Sequence, residues 1–250
     1  MASRRRGRLL DGVLLLDKPV GLSSNHALQR ARRAMDARKA GHTGTLDPFA
    51  TGLLVCCFGK ATKISGLLLD ADKAYEATIQ LGSETDSGDL TGEVVAQVEN
   101  FTGVTQEQVT AILPQFTGAI QQIPPMYSAL KRDGKPLYEY ARQGIELERP
   151  PRDVVIHQLD LIEFSPTELR VFVQCSKGTY IRTLAQDIGR ALGCYGHLTA
   201  LRRTQVGPFT LDSSIELEAL QNLSEQEQTL IALSDLPAGL QPVNFKKEAL

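Results

Sequence analysis

Apolar residues along this chain fall into short runs punctuated by glycine, proline and small polar residues, and few stretches carry the spacing of an amphipathic helix. Residues 12–16 read as a short buried strand ending at Asp17-Lys18-Pro19, after which Ser23 or Ser24 caps a helix reaching about Met35. The continuous apolar run 53–58 predicts a buried segment, 61–69 a short helix, and 74–81 an alternating strand with Tyr75 near its start. A polar loop follows over 82–92, then a strand at 93–98 and a helix at 105–116 capped by Thr105. Strands are expected at 154–164 and 169–175, turning at Pro166, then a helix over 179–192 and a strand over 200–206. Ser224 with Glu227 has the spacing of a capping box for a last helix to about residue 233. Strands scattered among helices, with hairpin-length links and no regular βαβ alternation, predict an α+β fold: a mixed, mainly antiparallel central sheet flanked by helices.

Length and composition narrow the class. With 250 residues and 42% hydrophobic composition, the chain can bury a substantial core. No apolar run is long enough to cross a bilayer, and the arginine-rich start (Arg4, Arg5, Arg6, Arg8) lacks a signal-peptide core, so a cytoplasmic protein is expected. Four cysteines, two of them adjacent at Cys56 and Cys57, have no metal-ligand spacing and read as reduced core residues. The net charge of −2 hides an uneven distribution, with no Lys or Arg between Asp212 and Phe245 and most cations earlier in the chain. A local basic face suited to a polyanion is therefore open, as is an ordinary mixed surface.

The stretch GHTGTLDPFATG, residues 41–52, carries the most chemistry. Pro48 pushes Asp47 out of the helical region, while Gly41, Gly44 and Gly52 permit backbone shapes and approaches that a Cβ would forbid, including approach by a bulky planar substrate. That is a way to display a nucleophilic carboxylate; an isolated Asp-Pro turn that merely caps backbone N–H groups is the plainer alternative. Residues 120–152 interleave Tyr127, Tyr138 and Tyr140 with Lys131, Arg132, Lys135, Arg142, Arg149 and Arg152, a mixture that can stack on bases and grip phosphates. A loop and helix packing Leu137, Tyr138 and Ala141 inward fits equally well.

Six blocks, in order, resemble the TruB-type pseudouridine synthases: GVLLLDKPVGLSS, AGHTGTLDPFATGLL, DKAYEATIQLG, IPPMYSALKRDGKPLYEYARQG, CSKGTYIRTLAQDIG and LRRTQVGPF. The resemblance implies a pseudouridine synthase catalytic domain over 1–250, with 120–152 as an RNA-contacting insertion. It implies isomerisation of uridine 55 in the T loop of tRNA, with no cofactor, no metal and no membrane partner, by a monomer. Asp47 matches the catalytic aspartate, Arg182 the arginine that pairs with it, and Tyr75 the tyrosine that stacks on the target base. Burial would raise the carboxyl pKa, and a paired guanidinium would oppose that. Tyr180 matches a second aromatic near the base, Leu201 a wall residue against it, and His42 the histidine associated with the flipped-out nucleotide. Lys18 is expected to support the site or contact phosphate, and Arg30, Arg32, Arg33, Lys63, Lys131, Arg132, Lys177, Arg202 and Arg203 are candidate backbone contacts. Family members continue into a small PUA-like domain, which is expected to be absent or truncated here because the chain stops at Leu250.

Other classes remain at this point. An RNA-remodelling module would bind without modifying. A glycosidase would need a second carboxylate that the sequence does not present beside Asp47. An aspartyl-phosphate enzyme would need a phosphate-cradling loop or a magnesium-binding acidic pair.

Overall fold

The computed structural model describes residues 7–241, so Arg4, Arg5, Arg6 and the residues after 241 lie outside the described part. In chain order the elements begin with β1 (Gly12–Lys18), α1 (Ser24–Ala34), β2 (Ala40–His42), β3 (Thr51–Phe58) and α2 (Ser65–Asp70). There follow β4 (Lys73–Leu81), β5 (Ser83–Thr85), β6 (Val94–Gln97), α3 (Gln106–Ile112), β7 (Gly118–Gln122), β8 (Lys131–Arg132), β9 (Lys135–Pro136) and α4 (Leu137–Ala141). The remainder is β10 (Arg152–Phe164), β11 (Glu168–Cys175), α5 (Ile181–Ala191), β12 (Gly196–Val206), β13 (Phe209–Thr210), β14 (Ile215–Glu216) and α6 (Leu217–Asn222). The chain divides into two compact units, one of residues up to Ala74 together with those from Arg202 onward, the other Tyr75–Leu201.

In the first unit β1 lies antiparallel to β3, from Gly12 opposite Phe58 to Lys18 opposite Gly52, and parallel to β14. The second half of β12 runs parallel to β3, pairing Arg202 with Thr51 and Arg203 with Gly52. Because successive strand residues point to opposite faces, β1 and β3 feed two cores at once. Leu14, Leu16, Leu54, Cys56 and Phe58 pack with Ala27, Leu28 and Ala31 of α1 and with α6. Val13, Leu15, Leu53, Val55 and Cys57 pack with Ala61, Ile64, Leu68 and Val206 on the other side. The adjacent cysteines thus serve opposite faces of one strand, both buried and both free thiols.

In the second unit the strand order is the first half of β12, then β4, β11, β10 and β7, with β10 antiparallel to both its neighbours. Leu169, Val171, Val173 and Cys175 alternate inward from β11, which is why that segment reads so clearly as a half-buried strand. The α+β class with a mixed, mainly antiparallel sheet holds.

Three expectations are corrected. The loop 82–92 contains β5, which pairs with β6. The apolar stretch 61–69 is a 3₁₀ turn, Gly59–Ile64, leading into α2. No helix runs from Ser224 to 233: only a short 3₁₀ turn forms at Gln226–Thr229, without a side-chain cap. The Glu227 carboxylate that would close the capping box accepts from Arg8 at 2.9 and 3.1 Å instead. Ile231 exchanges backbone hydrogen bonds with Val13 at 2.8 and 3.0 Å, which keeps the chain extended. Among the described residues, no helix is long and apolar enough to cross a membrane.

Candidate active site

Asp47 belongs to the first unit. It is half-buried on an irregular turn between β2 and β3, with exposed Thr45 and Pro48 at its sides and buried Leu46 and Phe49 below. The Ala50 N–H donates to the Asp47 carbonyl at 3.1 Å and closes the turn. The turn is held from several directions. Ser24 Oγ accepts from the Leu46 N–H at 2.7 Å and donates to the Leu46 carbonyl at 3.0 Å, so one buried hydroxyl satisfies both polar groups of the residue before Asp47. The Gly21 N–H donates to the Pro48 carbonyl at 2.8 Å, and Thr43 N–H to Val55 O at 3.0 Å. Of the two candidate capping serines, Ser23 caps α1 by accepting from the His26 N–H. That leaves Ser24 for the turn.

Lys18 is fully buried, and its ammonium donates to the carbonyls of Leu22 at 2.7 Å, Pro19 at 2.9 Å and Pro48 at 3.4 Å. Its donors are spent inside the protein, so it supports the turn, and the phosphate contact considered for it has no exposed ammonium to make it. Burial pushes its pKa down to about 8; the Asp47 carboxylate pulls it up, and the Arg203 charge adds to the drop. His42, at the end of β2, is held below its ordinary pKa by burial and then by Arg203, which favours the neutral ring. Its Nδ1 is buried without a hydrogen-bond partner.

Arg203, a candidate phosphate contact on sequence, is 1% exposed and donates to Leu53 O at 2.8 Å and Gly44 O at 3.1 Å. Its place on a strand whose neighbour is β3 turns it inward. Arg202, next to it, turns the other way and pairs with Asp17 at 2.6 Å. Gly52, at φ +99°, allows that close strand approach: a Cβ there would come 2.3 Å from Arg203 O. The room that Gly52 leaves is therefore filled by the protein's own backbone and is not space for a substrate.

Tyr75, Tyr180, Arg182 and Leu201 belong to the second unit. Arg182, in the first turn of α5, is 5% exposed, unlike an ordinary helix-surface arginine. Its Nη1 donates to Ser87 O at 2.9 Å and lies 3.7 Å from an Asp89 carboxylate oxygen; its Nη2 donates to Tyr127 O at 2.7 Å. Asp89 is itself buried, and its carboxylate accepts from Ser87 Oγ at 3.1 Å and from the Thr91 N–H and hydroxyl at 2.9 and 2.5 Å. The two carbonyls orient the guanidinium, with the fixed Asp89 carboxylate close by. The half-buried Tyr180 is clamped at its backbone by Gln122, whose amide accepts from the Tyr180 N–H at 2.9 Å and donates to its carbonyl at 3.2 Å. Tyr75 is half-buried and Leu201 is 7% exposed. Ser24, Arg203, Asp89 and Gln122 are the supporting residues that the sequence alone did not mark for these roles.

In the segment 120–152, Lys131, Arg132, Arg142 and Arg152 are exposed, Leu137 is buried, and two cations already lie over rings: Lys135 on Tyr140 and Arg142 on Tyr138. Of the other candidate contacts, Arg30, Arg33, Lys63 and Lys177 are exposed and Arg32 is half-buried. Among the described residues no cluster of His, Cys, Asp or Glu has the makings of a metal site.

Residues 32–181 match the N-terminal domain model of the TruB family of pseudouridylate synthases, and 182–245 match a tRNA pseudouridylate synthase B C-terminal domain. The chain belongs to the TruB family of pseudouridylate synthases. The tRNA pseudouridine synthase B of Bordetella avium is 68% identical over 241 residues, covering 96% of this chain and 99% of that relative. That of Aromatoleum aromaticum is 58% identical, with 96% of this chain matching 77% of the relative. Among solved structures, a chain of a Cbf5–Nop10–Gar1 complex superposes with a TM-score of 0.71 at 28% identity, over 90% of this chain and 60% of that one. A chain of an H/ACA RNP bound to a substrate RNA containing 2′-deoxyuridine superposes at 0.67 with 25% identity, over 93% and 65%. These likenesses agree with the α+β architecture.

Proposed function

We propose that the chain isomerises uridine 55 in the T loop of tRNA to pseudouridine, with Asp47 as the catalytic carboxylate. The observation that carries this reading is a half-buried aspartate on a turn fixed by Ser24, Lys18 and Arg203, in a member of a pseudouridylate synthase family. The relatives' activity on tRNA supports the choice of substrate.

Uridine and pseudouridine are isomers, so the reaction balances without an oxidant, reductant or cofactor. The N1–C1′ bond breaks, C5 joins C1′, the C5 proton leaves and N1 gains one. Asp47 acts on the sugar, by bonding to C1′ or by drawing off a proton as the N1–C1′ bond breaks, and Arg182 is the guanidinium that keeps the carboxylate charged. The Ser87 and Tyr127 carbonyls, with Asp89 close by, orient Arg182 for that task. Tyr75 stacks on the base, Tyr180 and Leu201 bound it, and neutral His42 attends the flipped nucleotide. The exposed cations of 120–152 hold the RNA backbone. A structured loop suits such a site because its bases are already partly unstacked, which lowers a flipping cost of a few kcal/mol. The enzyme works as a cytoplasmic monomer without metal.

The test is to incubate an unmodified tRNA transcript with the wild-type enzyme and map pseudouridine along it. A single new pseudouridine at position 55 is expected. Free uracil as the product would move the reading to a hydrolase, and tight binding without modification would move it to a remodelling module.

A further inference from the structure

Two of the glycines in GHTGTLDPFATG are shaped around the same arginine. Gly52 admits the Arg203 backbone, and Gly44, at φ +91°, carries its missing Cβ position 3.4 Å from Arg203 Nη1. From β12 the side chain ties β3 to the turn, with Nε on Leu53 O at 2.8 Å and Nη2 on Gly44 O at 3.1 Å. Both acceptors are neutral carbonyls, so neither cancels the charge. Burying a cation is costly, and a neutral donor such as glutamine would serve a purely structural tie with less penalty. The charge is felt nearby, since Arg203 depresses both His42 and Lys18.

We infer that Arg203 is a positioning residue of the reaction: it fixes the Gly44 side of the Asp47 turn and keeps a buried positive charge against that side of it, without touching the RNA. The adjacent arginines divide the work. Arg202 ties β12 to Asp17 and Thr51, while Arg203 ties it to Leu53 and Gly44. The role rests on the proposed assignment of Asp47, and the test separates the two.

Arg203→Met, Arg203→Lys and Asp47→Asn are compared with wild type in single-turnover release of tritium from C5-labelled uridine in T-loop RNA. RNA affinity and circular dichroism are measured on the same preparations, and rates are normalised to RNA-binding-competent protein. Arg203→Met, which keeps the stem and removes both ties and the charge, is expected to lose about 100-fold in rate with affinity within about threefold of wild type. Arg203→Lys, which keeps the charge and one tie, is expected to fall about tenfold at unchanged affinity. A Met variant as fast as wild type overturns the inference. So does a loss that falls on affinity alone, which would make Arg203 a phosphate contact, or a Lys variant no faster than Met, which would leave the charge without a part. Should Arg203→Met fail to fold, Arg203→Lys decides: the tenfold loss supports the role and a wild-type rate overturns it. A fully active Asp47→Asn would strike the assignment of Asp47 itself, whatever the Arg203 variants do.

Discussion

A hydroxyl and an ammonium, both inside the protein, set the geometry around Asp47. Ser24 satisfies the Leu46 N–H and carbonyl together, so Ser24→Ala leaves both without their partner and should lower stability by about 1–3 kcal/mol in urea unfolding. Turnover should fall further than that loss of stability explains, because the same hydroxyl fixes the residue preceding the carboxylate; an unchanged rate per folded molecule would argue against the brace. Lys18 gives a prediction with a definite sign. The folded protein releases its proton near pH 8 and the unfolded chain near 10.5, so below pH 8 both states hold the proton and the folded state bears the cost of a buried ammonium. Between those values the unfolded chain binds more protons, and stability rises with pH. The unfolding free energy of wild type minus that of Lys18→Met should therefore climb by up to about 3 kcal/mol from pH 7.5 to 10.5. A flat difference would mean that the amine stays solvated in the folded protein. The chemistry proposed for Asp47 and Arg182 was legible from motif blocks, whereas their braces were not, because the partners lie far apart in sequence: 22 residues for Ser24 and Leu46, 58 for Gln122 and Tyr180, 95 for Arg182 and Ser87, 150 for Arg203 and Leu53.

Elements whose signals are local matched their sequence reading, and elements settled by distant partners did not. Helix α3 begins where Thr105 predicts, and Thr105 with Gln108 forms a full capping box, each side chain bonded to the other's backbone. Thr105→Ala should cost about 1 kcal/mol by thermal unfolding, and a loss below about 0.3 kcal/mol would show that the cap does not hold the helix. Strands β1 and β3 read clearly because continuous apolar runs fit a sheet buried on both faces. The capping-box spacing at Ser224 and Glu227 misled, since Arg8 claims the carboxylate and Val13 claims the backbone of Ile231. Gly52 is the point where local and distant demands meet. Gly52→Ala would combine a left-handed backbone with a Cβ on the Arg203 carbonyl and should destabilise by about 2–5 kcal/mol, or prevent folding.

Across the whole chain, a net charge of −2 gives no hint of a polyanion ligand, yet Lys131, Arg132, Arg142 and Arg152, in the segment proposed to contact RNA, are all exposed. If Lys131 and Arg132 each neutralise a phosphate, Lys131→Ala/Arg132→Ala should weaken RNA binding and flatten the salt dependence by about one unit of slope for each phosphate no longer neutralised. An unaltered slope would place the RNA elsewhere. Family and fold class were readable because six ordered blocks span the chain, but the division into two units was not. The first unit is assembled from both ends of the chain, and β12 passes from one unit to the other within a single strand, a crossing that leaves no break in composition. At this scale the proposed activity stands on one carboxylate, and the decisive measurement is single-turnover tritium release from C5-labelled T-loop RNA by Asp47→Asn. No release above background is expected while RNA affinity stays within about threefold of wild type; release at the wild-type rate would refute the assignment.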